Sequence, residues 1–148
     1  MADETESGER GNVKTGGCLC GSVRYEVRGE LRPVVNCHCS QCRKTHGHFI
    51  GYTSADRNDL VLAEESGLRW YQSSEKARRG FCHQCGASLF WEPTEGSSVA
   101  ISAGTLDAPT GLKTVRHIFV AEKGDYYEID DGLPQFPGTM RGHPLPEA

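Results

Sequence analysis

Seven cysteines in three short clusters are the residues of this chain whose types and spacing could do chemistry. The clusters read Cys18-Leu19-Cys20, Cys37-His38-Cys39-Ser40-Gln41-Cys42 and Cys82-His83-Gln84-Cys85. Closely spaced thiolates are typical metal ligands, and these soft donors select zinc over magnesium or calcium. The seven cysteines divide into a closed site of four thiolates, which would be structural, and an open site of three. Three protein ligands leave a coordination position for water or substrate.

The first and third clusters share a pattern that favours one common site. A glycine follows the last cysteine of each pair, Gly21 after Cys20 and Gly86 after Cys85. Glycine permits the unusual backbone angles of a knuckle whose amides turn toward metal-bound sulfur. Two such knuckles would close a loop of more than about 60 residues. The predicted ligands of this structural site are Cys18, Cys20, Cys82 and Cys85.

The middle cluster places the thiolates of Cys37, Cys39 and Cys42 on one short loop. An iron–sulfur cluster would usually require a fourth cysteine, so zinc is favoured here too. A zinc site with three thiolates is a poor activator of water, but it can hold an exogenous thiol as a thiolate. A metal-held thiolate can attack an aldehyde carbon, and the reverse step cleaves a C–S bond. We predict that these three cysteines form the catalytic site.

Nearby histidines leave an alternative open. Either His46 or His48 could fill the fourth position of the second site, because C-x₃-H spacing is common in zinc sites. The second metal would then be structural, and the protein would be a zinc-stabilised binding module without catalysis. His38 and His83 each lie between two ligands, and we expect them to support the ligands or to be exposed. His117 is expected to be a hydrogen-bonded histidine of the core or of a sheet edge.

Composition excludes several other classes of protein. The odd cysteine count and the C-x-C spacing fit disulfides poorly. The first twelve residues are polar and acidic, so the sequence predicts neither a signal peptide nor a membrane anchor. Reduced thiols then indicate a cytoplasmic protein. The net charge of −4 and the lack of a basic, aromatic-interleaved strand argue against nucleic acid as a partner.

Short β-prone runs predict an all-β chain with one or two short helical turns. Apolar and polar residues alternate at 23–27 and 99–103, which is the period of a half-buried strand. A helical turn is expected at 41–46, after Cys39. Further predicted strands lie within 33–35, 60–62, 68–71, 89–91 and 118–120.

The length fits one domain, which we place at residues 15–138. Residues 1–14 are expected to be a disordered N-terminal tail and residues 139–148 a flexible C-terminal tail. With 18 glycines and 7 prolines, the hydrophobic core should be modest. Bound metal would support such a core, because a structural zinc contributes about 10–16 kcal/mol in small peptides.

With these clusters in place, the chain resembles the glutathione-dependent formaldehyde-activating enzyme (GFA) family, also called the CENP-V/GFA domain family. The matching segments follow the family's order and cover about residues 15–138. They are 17–21 (GCLCG), 37–44 (CHCSQCRK), 81–86 (FCHQCG), 104–107 (GTLD), 117–120 (HIFV) and 131–136 (DGLPQF).

The resemblance implies the Mss4-like fold, a twisted all-β arrangement, and two zinc ions in each chain. The structural zinc would lie at Cys18, Cys20, Cys82 and Cys85, and the catalytic zinc at Cys37, Cys39 and Cys42. Carbon–sulfur lyase activity is implied as well, with the named family member joining formaldehyde to glutathione. The expected partners are therefore a small thiol, with glutathione as the first candidate, and an aldehyde.

Two features near these motifs bear on the substrate. Arg43 and Lys44 are candidate anchors for substrate carboxylates. After the HIFV strand the family often has tryptophan, whereas this chain reads Gly124-Asp125-Tyr126-Tyr127. A ring in that segment is expected to line the pocket, so the departure predicts a changed specificity.

Overall fold

The computed structural model describes residues 13–139, and most of the regular structure is β-strand. The all-β fold class predicted from the sequence is confirmed. The expected tails at 1–14 and 139–148 lie outside the described residues, apart from Val13, Lys14 and Thr139. The strands are β1 (Lys14–Gly17), β2 (Arg24–Val27), β3 (Val34–Cys37), β4 (Ile50–Asp56), β5 (Leu60–Glu64), β6 (Leu68–Ser74), β7 (Ala77–Cys82), β8 (Ser88–Pro93), β9 (Ser98–Ser102) and β10 (Thr114–Ile118). The α-helix is α1 (Ser40–His46), and short 3-10 turns cover Arg57–Asp59, Ala103–Thr105 and Val120–Glu122.

The described chain folds as two compact units. The first unit contains residues 13–31 and 54–111, and the second contains residues 32–53 and 112–139. Strand β4 belongs to both, because its first four residues fall in the second unit and its last three in the first. The prediction of a single domain at 15–138 therefore stays a prediction.

The first unit contains a three-stranded sheet in the order β1-β2-β5 and the antiparallel run β9-β8-β7-β6. Val23, Tyr25 and Val27 are fully buried, as the alternation at 23–27 predicts. The Tyr25 ring meets the ring of Phe90 edge-on, with centroids 5.4 Å apart. The sulfur-bearing turns of this unit lie at strand ends, since Cys82 is the last residue of β7.

The second unit is built on β3, which pairs in parallel with β10 and antiparallel with β4. Cys37, the last residue of β3, lies opposite Ile118 on one side and Ile50 on the other. Helix α1 begins almost at once, with Cys39 as its N-cap residue. Gly47 ends the helix in the left-handed conformation, at φ 83°. The helical turn predicted at 41–46 is thereby confirmed.

One predicted strand is shorter than expected. The run at 118–120 was expected to continue as a strand, but β10 ends at Ile118. Phe119 adopts a left-handed backbone angle, φ 56°, and residues Val120–Glu122 form a 3-10 turn. This reversal places Glu122 near the start of α1, where its Oε1 accepts a hydrogen bond from the Ser40 backbone amide at 2.8 Å.

Gly67 is the glycine that the packing of the first unit requires most clearly. Its amide donates to the Ser22 carbonyl at 3.0 Å, and its own carbonyl accepts from the His83 amide at 2.9 Å. A Cβ added here would lie 2.7 Å from Ser22 Cβ and 2.8 Å from Cys82 Sγ. A side chain at this position would therefore push directly on a predicted metal ligand.

We predict that Gly67→Ala lowers the free energy of unfolding by about 1–3 kcal/mol, because overpacking displaces neighbours that cannot yield freely. The matched control is Gly104→Ala, where a Cβ has nothing within 4 Å. Urea unfolding followed by circular dichroism measures both variants. Equal stability of the two variants would contradict the assigned role of Gly67.

Candidate metal centres

Four cysteines of the first unit form a compact sulfur cluster. The sulfurs of the group Cys18, Cys20, Cys82 and Cys85 all lie within 4.8 Å of one another. Cys20 Sγ is 3.8 Å from Cys18 Sγ and 3.8 Å from Cys82 Sγ. A tetrahedral ion with metal–sulfur bonds of about 2.3 Å holds its ligands about 3.8 Å apart. The structure thus brings together the four predicted residues at a spacing that fits a tetrahedral metal such as zinc.

Two glycine turns shape this cluster. Gly21 has φ 90° and Gly86 has φ 81°, the left-handed backbone that glycine adopts without a steric penalty. In the first turn, the Val23 amide donates a hydrogen bond to Cys18 Sγ at 3.2 Å. The Ala87 amide is the main cause that lowers the pKa of Cys85, to about 6. The knuckle geometry predicted from the glycine positions is therefore present.

The electrostatics of the four sulfurs favour a bound cation. Burial raises the pKa of the Cys82 thiol to about 11, while hydrogen bonding to Ser22 lowers the pKa of Cys20. Several thiolates this close repel one another unless a positive charge lies between them. A divalent metal ion supplies that charge and lets all four sulfurs ionise.

Three cysteines of the second unit form the other cluster. Cys37 ends β3, Cys39 caps α1, and Cys42 lies within the first turns of that helix. Their sulfurs lie within 4.8 Å of one another, and the Cys42 amide donates to Cys39 Sγ at 3.2 Å. Cys37 and Cys42 are buried, and Cys39 is half-buried.

Charge in this cluster is concentrated on one sulfur. Hydrogen bonds to the side chains of Cys37 and Cys42 lower the pKa of Cys39 well below its usual range. The same hydrogen bond to Cys39 raises the pKa of Cys37, and burial adds to the effect. One thiolate is thus stabilised at the expense of its neighbours, and a cation would let the others ionise as well.

The rings of His46 and His48 have other partners. His46 Nε2 lies 3.3 Å from the Tyr52 hydroxyl, and His48 Nδ1 lies 2.6 Å from the Tyr126 hydroxyl. Among residues 13–139, the compact ligand group in this unit consists of the three cysteines alone. Neither histidine belongs to that group in the described part of the chain.

The two candidate anchors differ in their surroundings. Arg43 Nε donates a hydrogen bond to the Glu122 carbonyl at 2.9 Å, and the Glu122 carboxylate holds the Ser40 amide. Arg43 therefore ties α1 to the turn after β10. Lys44, by contrast, is exposed. His83, from the third cysteine cluster, is exposed too, as expected.

Sequence reasoning missed a line of hydrogen bonds that passes through two buried histidines, His38 and His117. His38 is fully buried, so the expectation that it could be exposed is wrong. Its Nδ1 lies 2.6 Å from the Tyr127 hydroxyl, and its Nε2 lies 2.9 Å from His117 Nδ1. His117 Nε2 in turn lies 2.8 Å from Asp131 Oδ2. The expectation that His117 is buried and hydrogen-bonded is correct, but its spacing from His38 and Asp131 gave no sign of the connection.

Aromatic rings surround Tyr127, the residue at one end of this line of hydrogen bonds. The Phe49 ring lies 4.6 Å from the His38 ring and 5.9 Å from the Tyr127 ring, measured between centroids. The Tyr126 ring packs 5.5 Å from that of His48 and is exposed. Burial and the neighbouring histidine lower the pKa of His38 to about 4. The two tyrosines lie in the 124–127 segment, where the family that the sequence resembles often has tryptophan.

No helix in residues 13–139 is long and apolar enough to cross a membrane. All seven cysteines lie in this range, and none forms a disulfide.

With one four-sulfur cluster and one three-sulfur cluster, this mostly β chain belongs to the class of cysteine-rich proteins whose clustered thiols could hold metal ions. The family model described as glutathione-dependent formaldehyde-activating enzyme matches residues 13–122 of the chain. The protein belongs to this family, as the cysteine motifs predict.

Two relatives place the family assignment in context. The chain is similar to an uncharacterized lyase of Schizosaccharomyces pombe, with 25% identity over 123 residues that cover 82% of this chain and 88% of the relative. It is also similar to a crystal structure of a Rhodobacter sphaeroides protein, with a TM-score of 0.55 and 25% identity. That match covers 68% of this chain and 97% of the other.

We predict that Cys82→Ser strongly destabilises the protein, by more than about 3 kcal/mol, because metal-binding free energy at a closed site is folding free energy. Cys39→Ser should lower the free energy of unfolding much less, since Cys37, Cys39 and Cys42 are close in sequence and a metal bound to them closes only a short loop. Urea unfolding and metal content by mass spectrometry test both variants. Similar losses of stability in the two variants would show that the two centres do not differ in this way.

We further predict that a mild chelator removes one metal ion from the purified protein and leaves the other. The three-sulfur centre offers fewer ligands, and the half-buried Cys39 gives access to it. Metal content before and after dialysis against the chelator measures the difference. Retention of both ions would indicate that a further group closes the second centre.

Proposed function

We propose that this protein is a zinc-dependent carbon–sulfur lyase of the GFA type, which forms or cleaves a thiol–aldehyde adduct of the S-hydroxymethyl-thiol kind. Family membership and the relative named as an uncharacterized lyase support the lyase class. The observation that carries the proposal is the three-sulfur cluster, in which the part of the chain described here places no fourth ligand. A purely structural metal would be expected to have four.

Zinc is the metal we propose for both centres, because thiolate ligands and tetrahedral spacing suit it. We assign the structural ion to the closed four-cysteine cluster and the catalytic ion to the open cluster. Bound zinc at Cys37, Cys39 and Cys42 would hold the substrate's thiol as a thiolate next to the aldehyde.

Residues around the three-cysteine cluster support this site in three ways. The Cys42 amide stabilises charge on Cys39, and Glu122 fixes the start of α1 through the Ser40 amide. The aromatic rings of Phe49 and Tyr127 pack beside the ring of His38, which lies between Cys37 and Cys39 in the sequence. A preorganised site strengthens electrostatic interactions with charge that develops during reaction.

Glutathione is the thiol that we propose first, and formaldehyde the aldehyde, because the family's description names both. Glutathione carries carboxylates, and the exposed Lys44 offers a positive charge on the same helix as Cys42. Arg43 contributes a second positive charge on that helix while it holds the Glu122 carbonyl. We also propose a cytoplasmic location, since seven thiols without a disulfide fit a reducing compartment.

We predict that the zinc-loaded protein accelerates the exchange between glutathione plus formaldehyde and their adduct, measured by NMR exchange spectroscopy. Cys39→Ser should remain folded, retain one zinc ion and reduce the exchange to the uncatalysed rate. The matched control is Thr45→Ala, an exposed position of α1, which should keep full activity. A fully active Cys39→Ser variant would refute the proposed site. A wild-type protein that binds two zinc ions without accelerating exchange would refute the proposed reaction.

A further inference from the structure

Glu122, in the turn that follows β10, contacts helix α1 at two points. Its carboxylate Oε1 accepts a hydrogen bond from the Ser40 amide at 2.8 Å, and its main-chain carbonyl accepts one from Arg43 Nε at 2.9 Å. These two partners come directly after Cys39 and Cys42, two of the three cysteines of the open cluster. One residue from outside the helix therefore holds it immediately beside both of the sulfur-bearing residues that the helix and its cap contribute.

Helix α1 needs such a contact because little within it fixes its first turn. It has seven residues, whereas isolated helices shorter than about 12–15 residues are marginal in water. The Cys39 side chain caps it by accepting the Cys42 amide through sulfur, which is a weaker acceptor than the oxygen of a usual capping residue. The first turn of α1 contains no acidic residue of its own. The Glu122 carboxylate supplies a charged oxygen acceptor there, and a charge-assisted hydrogen bond is stronger than one between neutral groups.

The turn that carries Glu122 is itself held in a costly conformation. Phe119 has φ 56°, and among residues 13–139 it is the one non-glycine residue with a positive φ. Residues with a side chain adopt this left-handed backbone at an energetic cost, and they keep it where the surrounding structure fixes them. The amides of Phe119 and Val120 donate to the carbonyls of Gly138 and Phe136, at 2.9 Å and 3.0 Å. These two bonds fix the reversal that brings Glu122 to α1.

We infer that Glu122 is a positioning residue for the open metal centre. Through its two contacts it holds α1 in the orientation that brings the sulfurs of Cys39 and Cys42 to that of Cys37. The inference rests on the metal proposed above for this cluster, but not on the reaction at that metal. Groups that orient metal ligands contribute about 10–100-fold to metal affinity. Since Glu122 and Ser40 are exposed, we expect the lower end of that range, about tenfold.

The experiment is the release of zinc from the loaded full chain to a chromogenic chelator, followed in time. We expect two phases, one for each centre, and the phase that is missing from Cys39→Ser belongs to the open centre. Glu122→Ala should make this open-centre phase about tenfold faster and leave the other phase unchanged. Equal acceleration of both phases would show a general loss of stability and overturn the positioning role.

Two further variants test whether the side-chain oxygen of Glu122 is the group that acts. Glu122→Gln keeps an oxygen acceptor for the Ser40 amide, and a neutral hydrogen bond is about half as strong as a charged one. Its open-centre phase should therefore be only about threefold faster than in the wild type. Glu128→Ala, which removes an exposed acid of the same unit, is the matched control and should release zinc at the wild-type rate. A Glu128→Ala protein as fast as Glu122→Ala would show that lost charge alone is responsible and would overturn the inference.

Arg43→Met tests the second contact, because it keeps an apolar side chain and removes the donor to the Glu122 carbonyl. Zinc release involves no substrate, so the measurement separates this contact from any part of Arg43 in binding a carboxylate. The open-centre phase should be faster than in the wild type. It should be faster still in the double variant with Glu122→Ala, since the two contacts use different atoms of Glu122. An unchanged phase in Arg43→Met would overturn the role assigned to the second contact.

Failure of this inference and failure of the proposed function have different signatures. An unchanged open-centre phase in Glu122→Ala, with wild-type protein that accelerates the exchange of glutathione and formaldehyde, would overturn the role of Glu122 and leave the reaction standing. Wild-type protein that releases zinc in two phases but accelerates no exchange would overturn the reaction. The release rates of the Glu122 variants would still decide the inference in that case. Wild-type protein that holds zinc at the four-cysteine cluster alone would overturn both.

Discussion

The constraint on which this molecule depends is the mutual repulsion of thiolates held within one metal's reach. Four sulfurs in one unit and three in the other lie within 4.8 Å of their neighbours in the cluster. Without a cation, hydrogen bonding to Cys39, together with burial, raises the pKa of Cys37, and burial raises the pKa of Cys82, so these thiols stay protonated. A bound metal converts this repulsion into attraction and adds its binding energy to a small core. The backbone around each cluster holds the sulfurs at a spacing that a metal ion could bridge.

The two clusters differ most in how much chain each of them joins. Cys20 and Cys82 are 62 residues apart in sequence, and their sulfurs come within 3.8 Å only because β7 and its neighbours are folded. The second cluster is contained in a strand end and the first turns of one short helix. The first arrangement suits a structural role, since it ties distant segments together. The second suits exchange at an open position, because its ligands stay close to one another whatever is bound.

The cysteine clusters and several strands could be predicted from the sequence, because residues close together in the chain determine them. Glycines after cysteines indicate knuckles, alternation at 23–27 indicates a strand, and three cysteines within six residues must share one place. The features that the sequence did not predict depend on the pairing of strands that are distant in the chain. No pattern near His38 indicates that β10 lies parallel to β3 and brings His117 within hydrogen-bond distance of the His38 ring. Strand β7, with two arginines and a glycine, lacks an apolar alternation, and its neighbours on both sides determine its structure.

The spacing of the ligands also has a consequence for the order in which the protein is made. Five of the seven cysteines lie in the first 42 residues, so they leave the ribosome well before Cys82 and Cys85. A metal ion captured at that stage finds Cys18 and Cys20 competing with the middle cluster for the same ion. Only synthesis of the second knuckle gives the first pair its proper partners. If both clusters hold metal as proposed, correct loading would depend on the order of synthesis as well as on affinity.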